Sequence, residues 1–235
     1  MSKEIVITCE HAGNNVPELY EHFFNNNTAV LKSHRGYDIG ALELTRTCAK
    51  KLKVTPFVHS VTRLLIDLNR SLNSSELFSE FIDSLNEKER EEIVQNYYYP
   101  HRNNVEKYIA DRIEEGTEIL HLSVHTFTPK LNGTVRDVDV GLLFDPDRKN
   151  EQSFCQIWKS HLEEASDLRV RYNYPYPGVM DGFSTYLRTK FSDPYYAGLE
   201  VEVNQKFPKN GNAKQWTEIQ ELVGDTLRSA YRTWN

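Results

Sequence analysis

The chain has 235 residues, of which 39% are hydrophobic and 26% are charged, as in ordinary globular proteins and unlike disordered, collagen-like or coiled-coil chains. Its 34 Asp and Glu outnumber its 28 Lys and Arg, and the net charge of −6 argues against nucleic acid or an anionic membrane as the main partner. No apolar stretch approaches the roughly 20 residues that cross a bilayer, and the N-terminus lacks the pattern of a signal peptide, so we expect a cytoplasmic protein.

Short apolar runs alternate with longer amphipathic ones along the chain, which predicts a layered α/β domain with a mostly parallel sheet. The predicted strands are residues 4–9, 53–59, 63–68, 118–125, 138–144, 168–172 and 198–204. The predicted helices are residues 38–52, 86–98, 101–115, 151–165 and 212–231. The length suits one domain with a sizeable core, and we expect residues 1–235 to form a single domain.

Residues 172–188 are rich in Tyr, Pro and Gly, a composition that favours an irregular loop lining a pocket. Packing of these aromatic side chains beneath a surface loop is the alternative. The three cysteines, Cys9, Cys48 and Cys155, are far apart and form no CxxC pair. They therefore predict buried free thiols and neither a disulfide framework nor a thiolate zinc site.

Polar side chains collect at or near the carboxyl ends of four predicted strands, the edge of an open α/β sheet at which ligands bind. These residues are Glu10, His11, Asp67, Asn69, Arg70, His121, Ser123, His125, Glu200, Glu202 and Asn204. Charged residues in strands that are otherwise apolar need partners or a function.

The two histidines at strand ends, His11 and His125, have the chemistry of zinc ligands. Neutral imidazoles, a carboxylate and an open position for water form the usual catalytic zinc site. A further carboxylate, Glu202 or Glu200, would serve as general base for the attacking water. A single histidine at a strand end is more often a hydrogen-bonded core or surface residue.

Arg70 fits the same interpretation, because a guanidinium holds a substrate carboxylate through two parallel hydrogen bonds. The amide of Asn69 would assist it. The alternative is a structural salt bridge between Asp67 and Arg70.

Six segments, in this order, resemble the N-formylglutamate amidohydrolase family: EHAGNNVP, HRGYDIGALELTR, RLLIDLNR, LSVHTFTP, VRDVDVGLLFD and GLEVEVNQ. The order His, DLNR, His, Glu is more distantly similar to the zinc metallocarboxypeptidases. The resemblance implies a zinc-exopeptidase-like α/β fold, with a mixed central sheet between helical layers. It also implies a zinc-dependent amidohydrolase that cleaves the N-acyl or N-formyl amide of a small acidic amino acid.

Residue by residue, the resemblance implies that His11 and His125 bind one zinc ion. It implies that Asn69 and Arg70 hold the substrate carboxylate and that Glu202, in preference to Glu200, is the general base.

The third metal ligand departs from the metallocarboxypeptidase pattern. In those enzymes the ligands include His-x-x-Glu, but the same offset from His11 leads to Asn14, a poor zinc ligand. Asp38, which the family motif retains, is the replacement that we expect; its alternative role is that of a helix N-cap. Glu10 would then orient a ligating imidazole, or it is a solvated acid.

Arg136, Tyr186 and Arg188 are candidates for contacts with an anionic substrate, and structural ion pairs or core packing are the alternatives. His121 shares a strand face with His125, and we expect a neighbour of the site there and not a ligand. Two other functions remain open on the sequence. One is a metabolite-binding module without catalysis, and the other is a carboxypeptidase acting on peptides. The sequence predicts no oligomeric state.

Overall fold

Six strands form one mixed sheet in the computed structural model, which describes residues 2–234. In chain order the strands are β1 (Ser2–Cys9), β2 (Phe57–Val58), β3 (Thr117–Phe127), β4 (Lys130–Leu131), β5 (Thr134–Val135), β6 (Val140–Leu143), β7 (Val170–Tyr172) and β8 (Tyr196–Asn204). The sheet has the order β2-β1-β3-β8-β6-β7, and β4 and β5 form a separate antiparallel pair. Only β6 and β8 pair antiparallel within the sheet, which confirms the predicted mixed and mostly parallel arrangement.

The helices cover both faces of this sheet. They are α1 (Thr28–Leu31), α2 (Ala41–Leu52), α3 (Glu87–Ile93), α4 (Tyr99–Glu114), α5 (Lys149–Ala165), α6 (Phe183–Lys190), α7 (Lys206–Asn210) and α8 (Ala213–Thr233), with 3₁₀ turns at Glu18–Phe23 and Glu80–Ile82. Helices α2, α5 and α8 pack on one face, and α4 and α6 pack on the other. The result is the predicted three-layer α/β architecture.

The alternation of side chains along the central strands divides the core into two parts. The larger part lies under α2, α5 and α8 and includes Ile5, Ile7, Leu120, Leu122, Val124, Leu199, Val201 and Val203. On the opposite face, α4 and α6 cover Val6, Ile119 and Tyr196. Further along that face, β3 carries His121, Ser123 and His125, so the polar side chains lie towards the carboxyl end of the strand.

The predicted strand 63–68 is wrong, because this segment forms turns. Its backbone bonds to turns and loops and not to a neighbouring strand: Leu65 N–H donates to Thr62 O at 3.0 Å, and Asp67 N–H donates to Leu77 O at 2.9 Å. Its apolar side chains instead join a separate cluster beneath the loops, which includes Leu64, Leu65, Ile66, Leu68, Phe24, Leu77, Ile82 and Ile93. A short apolar run is compatible with any buried segment, so periodicity could not separate a strand from buried turns.

Five other predicted segments differ from the structure, one of them the helix 38–52, which begins at Ala41. Of the strand 53–59 only β2 forms, since β1 pairs there through Thr8 and Cys9 alone. The helices 86–98 and 101–115 are continuous, because a π-helical segment, Val94–Tyr98, joins α3 to α4. The loop 172–188 contains the start of α6.

The remaining strands, together with α5 and α8, begin and end within two residues of their predicted bounds. Cys9, Cys48 and Cys155 are buried free thiols, as predicted. Among the described residues, no helix combines the length and the apolar character that crossing a membrane requires.

Candidate active site

Three neighbouring parallel strands, β1, β3 and β8, bring their carboxyl ends to the same edge of the sheet. The register pairs His125 of β3 with Glu202 of β8, and Ser123 of β3 with Thr8 of β1, just before Glu10 and His11. A cavity lies at this edge, lined by His11, Asp38, Arg63, Asn69, Arg70, His125, Thr126, Tyr176, Pro177, Gly178, Met180, Asp181, Glu200 and Glu202. Most of the residues predicted for the site therefore meet in one cavity.

His11, Asp38 and His125 form a buried group whose potential ligand atoms all lie within 4.8 Å of one another. One oxygen of Asp38, Oδ2, lies 2.9 Å from His125 Nδ1 and 3.4 Å from His11 Nδ1. Two imidazole nitrogens and one carboxylate oxygen are the ligand types of a catalytic zinc site. The donor set therefore fits a divalent metal such as zinc.

The opposite nitrogen of each imidazole is held by a polar partner. His11 Nε2 lies 2.7 Å from Asp67 Oδ1. His125 Nε2 lies 2.8 Å from Ser123 Oγ and 3.4 Å from Glu10 Oε2, and the Ser123 hydroxyl donates to that same oxygen at 2.5 Å. A carboxylate behind a histidine favours the tautomer protonated on Nε2, which would leave the Nδ1 lone pair available to a metal ion.

The sequence left open the roles of three residues near the histidines, and their positions in the structure bear on these alternatives. They are Glu10, Asp38 and Asn14. Glu10 is 1% exposed, so it is a buried partner of His125 and not a solvated acid. Asp38 does not cap a helix: α2 has Gly40 at its N-cap, and Arg63 forms a salt bridge with the second oxygen of Asp38. The Asn14 side chain donates to Leu31 O at 2.9 Å, away from the histidines.

The two histidines differ in charge. Burial, reinforced by the charge of Arg63, lowers the pKa of His11 to about 4, so its ring is neutral at pH 7. Burial also disfavours a charge on His125, but the hydrogen bond with Glu10 and the nearby Glu200 raise the pKa of His125 to about 10. Coordination requires a neutral imidazole, so metal binding would release this proton.

Asn69 and Arg70 line the cavity from the clamp segment, which we define as residues 67–70. Asn69 Oδ1 accepts a hydrogen bond from Phe183 N–H at 2.6 Å. Arg70 Nε donates to Glu76 Oε2 at 2.9 Å, and Nη1 donates to Asp181 O at 3.1 Å. The alternative salt bridge between Asp67 and Arg70 does not form: Asp67 lies against His11, and Arg70 pairs with Glu76.

Glu202 is 6% exposed and its Oε2 has no hydrogen-bond partner among residues 2–234. Burial raises the pKa of Glu202 to about 7; the charge of His125 opposes this shift and that of Glu200 adds to it. Glu200 lies on the same wall of the cavity and is only partly buried. A carboxyl with a pKa near neutrality, without a fixed partner, has the properties of a general base.

Arg136, Tyr186 and Arg188 lie outside the cavity lining. Arg136 donates to Tyr176 Oη at 3.0 Å, and it is Tyr176 that lines the cavity. Tyr186 donates to Glu106 at 2.8 Å. Arg188 donates to the backbone oxygens of Gly178 at 2.6 Å and Gly198 at 2.7 Å and forms a salt bridge with Glu151, and it thus supports the cavity wall from behind.

His121 is a neighbour of the site and not a member of the ligand group, as expected. Its ring nitrogens contact Thr8 Oγ1 at 2.9 Å and Tyr196 Oη at 2.7 Å. Arg63 and Tyr176 are cavity residues that the sequence reasoning missed. A signal existed for both, since Arg63 opens the RLLIDLNR motif and Tyr176 lies in the loop predicted to line a pocket.

Comparison with known proteins gives the class to which this fold and site belong: the chain is a hydrolase that acts on amide bonds. The model of one family, described as N-formylglutamate amidohydrolase, matches residues 3–207. The chain belongs to this family. No protein with a curated description matches the sequence significantly.

Two solved structures are similar over nearly the whole chain. The crystal structure of gene product Atu2144 from Agrobacterium tumefaciens is 25% identical, with a TM-score of 0.84 and coverage of 98% of this chain and 91% of that chain. N-formylglutamate amidohydrolase from Ralstonia eutropha JMP134 is 16% identical, with a TM-score of 0.73 and coverage of 98% and 94%. At 16% identity, the similarity to the Ralstonia eutropha protein shows a shared fold.

Replacement of Ser123 by Ala should weaken metal binding. The variant loses the hydroxyl that links Glu10 to His125, and such outer partners typically contribute roughly 10- to 100-fold to metal affinity. Competition with a chromophoric chelator measures the affinity. Ser184→Ala is the matched control, since Ser184 is also buried and its hydroxyl has no partner within the described part of the chain. Equal affinities for both variants would contradict the expectation.

Replacement of Gly182 by Ala should impair the cavity without disturbing the fold. Gly182 has an extended backbone, φ −173°, which any residue adopts, but a Cβ there would lie 3.2 Å from Asn69 Oδ1 and 3.1 Å from Glu200 Oε1. We expect KM to rise roughly tenfold, as for other small displacements of positioning groups. Gly224→Ala in α8 is the control, because its tightest contact is the flexible side chain of Lys51. Steady-state kinetics and thermal melting separate the two effects.

Proposed function

We propose that the chain is a zinc-dependent amidohydrolase that removes the acyl group, such as formyl, from a small acidic N-acyl amino acid such as N-formyl-L-glutamate. The observation that carries the proposal is the content of one cavity. It combines a buried His-Asp-His group, an Asn-Arg pair and a buried carboxylate without a partner. These are the parts that metal-assisted hydrolysis of an amide requires.

One zinc ion would be held by His11 and His125 through Nδ1 and by a carboxylate oxygen of Asp38. When bound, a cation of this kind polarises a carbonyl group and makes water more acidic. The protein's own part is to keep both imidazoles in the correct tautomer, which Asp67 does for His11 and Glu10 with Ser123 does for His125.

Arg70 and Asn69 would bind the α-carboxylate of the substrate. The Arg70 side chain is oriented by its bonds to Glu76 and to the backbone oxygen of Asp181, so little side-chain freedom is lost when it donates to a substrate carboxylate. Asn69 is oriented by Phe183 N–H. An arginine is the residue best suited to hold a carboxylate at two points.

Arg63 lies beside the metal position, where it pairs with Asp38, and it lines the cavity. Its Nε has no hydrogen-bond partner within residues 2–234. A guanidinium at this place would stabilise the negative charge that develops on the amide oxygen during attack by water.

Glu202 would carry the proton transfers. Its carboxylate removes a proton from the attacking water, whose oxygen bonds to the carbonyl carbon. The carboxyl then gives this proton to the amide nitrogen as the C–N bond breaks, which yields a carboxylic acid and the free amino acid. A pKa of about 7 suits a group that must both accept and return a proton near neutral pH.

The proposal is tested by metal analysis together with hydrolysis assays. The zinc-loaded protein should hydrolyse N-formyl- and N-acetyl-glutamate and -aspartate, lose this activity with a chelator and regain it with zinc. A protein that binds these compounds tightly but never turns them over would be a binding module. One that cleaves extended peptides faster than acyl amino acids would be a carboxypeptidase. Either result would replace the proposed function.

The pH dependence should report Glu202. Because the base must be deprotonated, kcat/KM should rise with pH across an acidic limb. This limb should lie near or below pH 7, since burial raises the pKa of Glu202 to about 7 and a bound cation would lower it from that value. Glu202→Gln should lose roughly a hundred- to ten-thousand-fold in kcat. Glu200→Gln should keep the limb but move it to lower pH, because the repulsion that raises the pKa of Glu202 is removed. A limb unchanged by both variants would assign the base elsewhere.

A further inference from the structure

Arg102 of α4 is a buried cation enclosed by aromatic rings, and the site as described does not use it. It is 3% exposed. Its guanidinium carbon lies 4.7 Å from the ring centroid of Tyr98, 4.4 Å from that of Phe183 and 4.6 Å from that of Tyr186. No salt bridge to a carboxylate is present within residues 2–234. A buried charge without a counter-ion is costly, so its other contacts must compensate.

Those contacts are directed at the clamp segment. Arg102 Nη1 donates to the backbone oxygens of Leu68 at 3.0 Å and Arg70 at 3.1 Å. Tyr98, one of the rings beside the guanidinium, donates its hydroxyl to the same Arg70 oxygen at 2.8 Å. The two carbonyl groups lie immediately before and after Asn69, so the hydrogen bonds fix the backbone on both sides of this residue.

The clamp segment depends on such contacts because it is not part of the sheet. None of its four residues belongs to a strand, so no strand ladder holds their backbone in place. Phe183 adds a second link: its ring covers Arg102 while its N–H donates to Asn69 Oδ1. The guanidinium thus contacts both the backbone that carries Asn69 and the residue that orients the Asn69 amide.

We infer that Arg102 is a positioning residue that sets the geometry of the Asn69–Arg70 pair from behind the cavity. The role assigned to that pair rests on the proposed function. Arg102 does not line the cavity, so it acts through the clamp segment and does not contact the substrate. Its removal should therefore weaken substrate binding more than it slows the chemical step.

The test compares Arg102→Met with Val105→Ala. Methionine keeps much of the apolar stem but removes the donors. Val105 is fully buried in α4, one turn away, and belongs to the same apolar cluster as Phe183, so its variant loses packing and no hydrogen bond. We expect Arg102→Met to raise KM for N-formyl-L-glutamate roughly tenfold or more with a smaller change in kcat, as when a group that binds the substrate is displaced. Val105→Ala should lower thermal stability and leave KM unchanged.

Two further measurements make the test independent of packing and of the substrate. Arg102→Lys retains a charge and a donor but not the planar fork, so its KM should lie between those of the wild type and Arg102→Met. Hydrogen–deuterium exchange should speed up in the backbone amides of residues 68–71 in Arg102→Met and not in Val105→Ala.

Equal KM values for the wild type and Arg102→Met, or unchanged exchange in residues 68–71, would overturn the inference. If the wild type hydrolyses no acyl amino acid, the proposed function fails, and the exchange comparison still decides whether Arg102 orders the clamp segment.

Discussion

Because β1, β3 and β8 are adjacent and parallel, their carboxyl ends bring His11, His125 and Glu202 to one buried point at the edge of the sheet. Ionisable groups removed from water are stable only with partners or with a shifted pKa. Glu202 adopts the second solution, with its pKa raised to about 7. The histidines combine both, since the pKa of His11 is lowered to about 4 and that of His125 is raised to about 10, and each ring also has carboxylate partners.

Each of these partners comes from a different part of the chain. Asp38 comes from the turn before α2, and Asp67 comes from the clamp segment. Glu10 follows β1 directly and reaches His125 on the neighbouring strand. Removal of Asp38 or Asp67 would leave an imidazole nitrogen without its partner, and removal of Glu10 would leave His125 Nε2 with Ser123 but without a carboxylate. The conformations of these loops and the geometry of the His-Asp-His group are therefore linked.

The arginines around the cavity act at two levels. Arg63 and Arg70 reach the cavity, where the proposed function assigns their charge to an anionic substrate and to a developing oxyanion. Arg102, Arg136 and Arg188 stand behind the lining and donate to groups that form it. A guanidinium suits this task, because several donors in one rigid plane can hold distant groups in a fixed relation. The groups that line the cavity are therefore held in place by arginines that lie outside the lining.

Patterns within short windows were enough to predict the alternating strands and helices and a mostly parallel sheet, and matching motifs were enough to predict the family and, through it, the mixed sheet. Side-chain period and residue type are local properties, so β3 and α8 begin and end within two residues of their predicted bounds. The strand expected at 63–68 failed for the same reason, since an apolar run does not reveal what it packs against. The turns that this segment forms nevertheless place Asn69 and Arg70 in the cavity lining.

Contacts between segments far apart in the chain decide which side chains lie at the histidines and which lie behind the cavity wall. The question of Asp38 or Asn14 at the histidines depended on where the turn before α2 lies relative to β3. The placement of Arg188 behind the cavity wall depended on Glu151 of α5. Such pairings follow from the free energy of burying specific charges together, which is a property of the folded chain and not of any one segment.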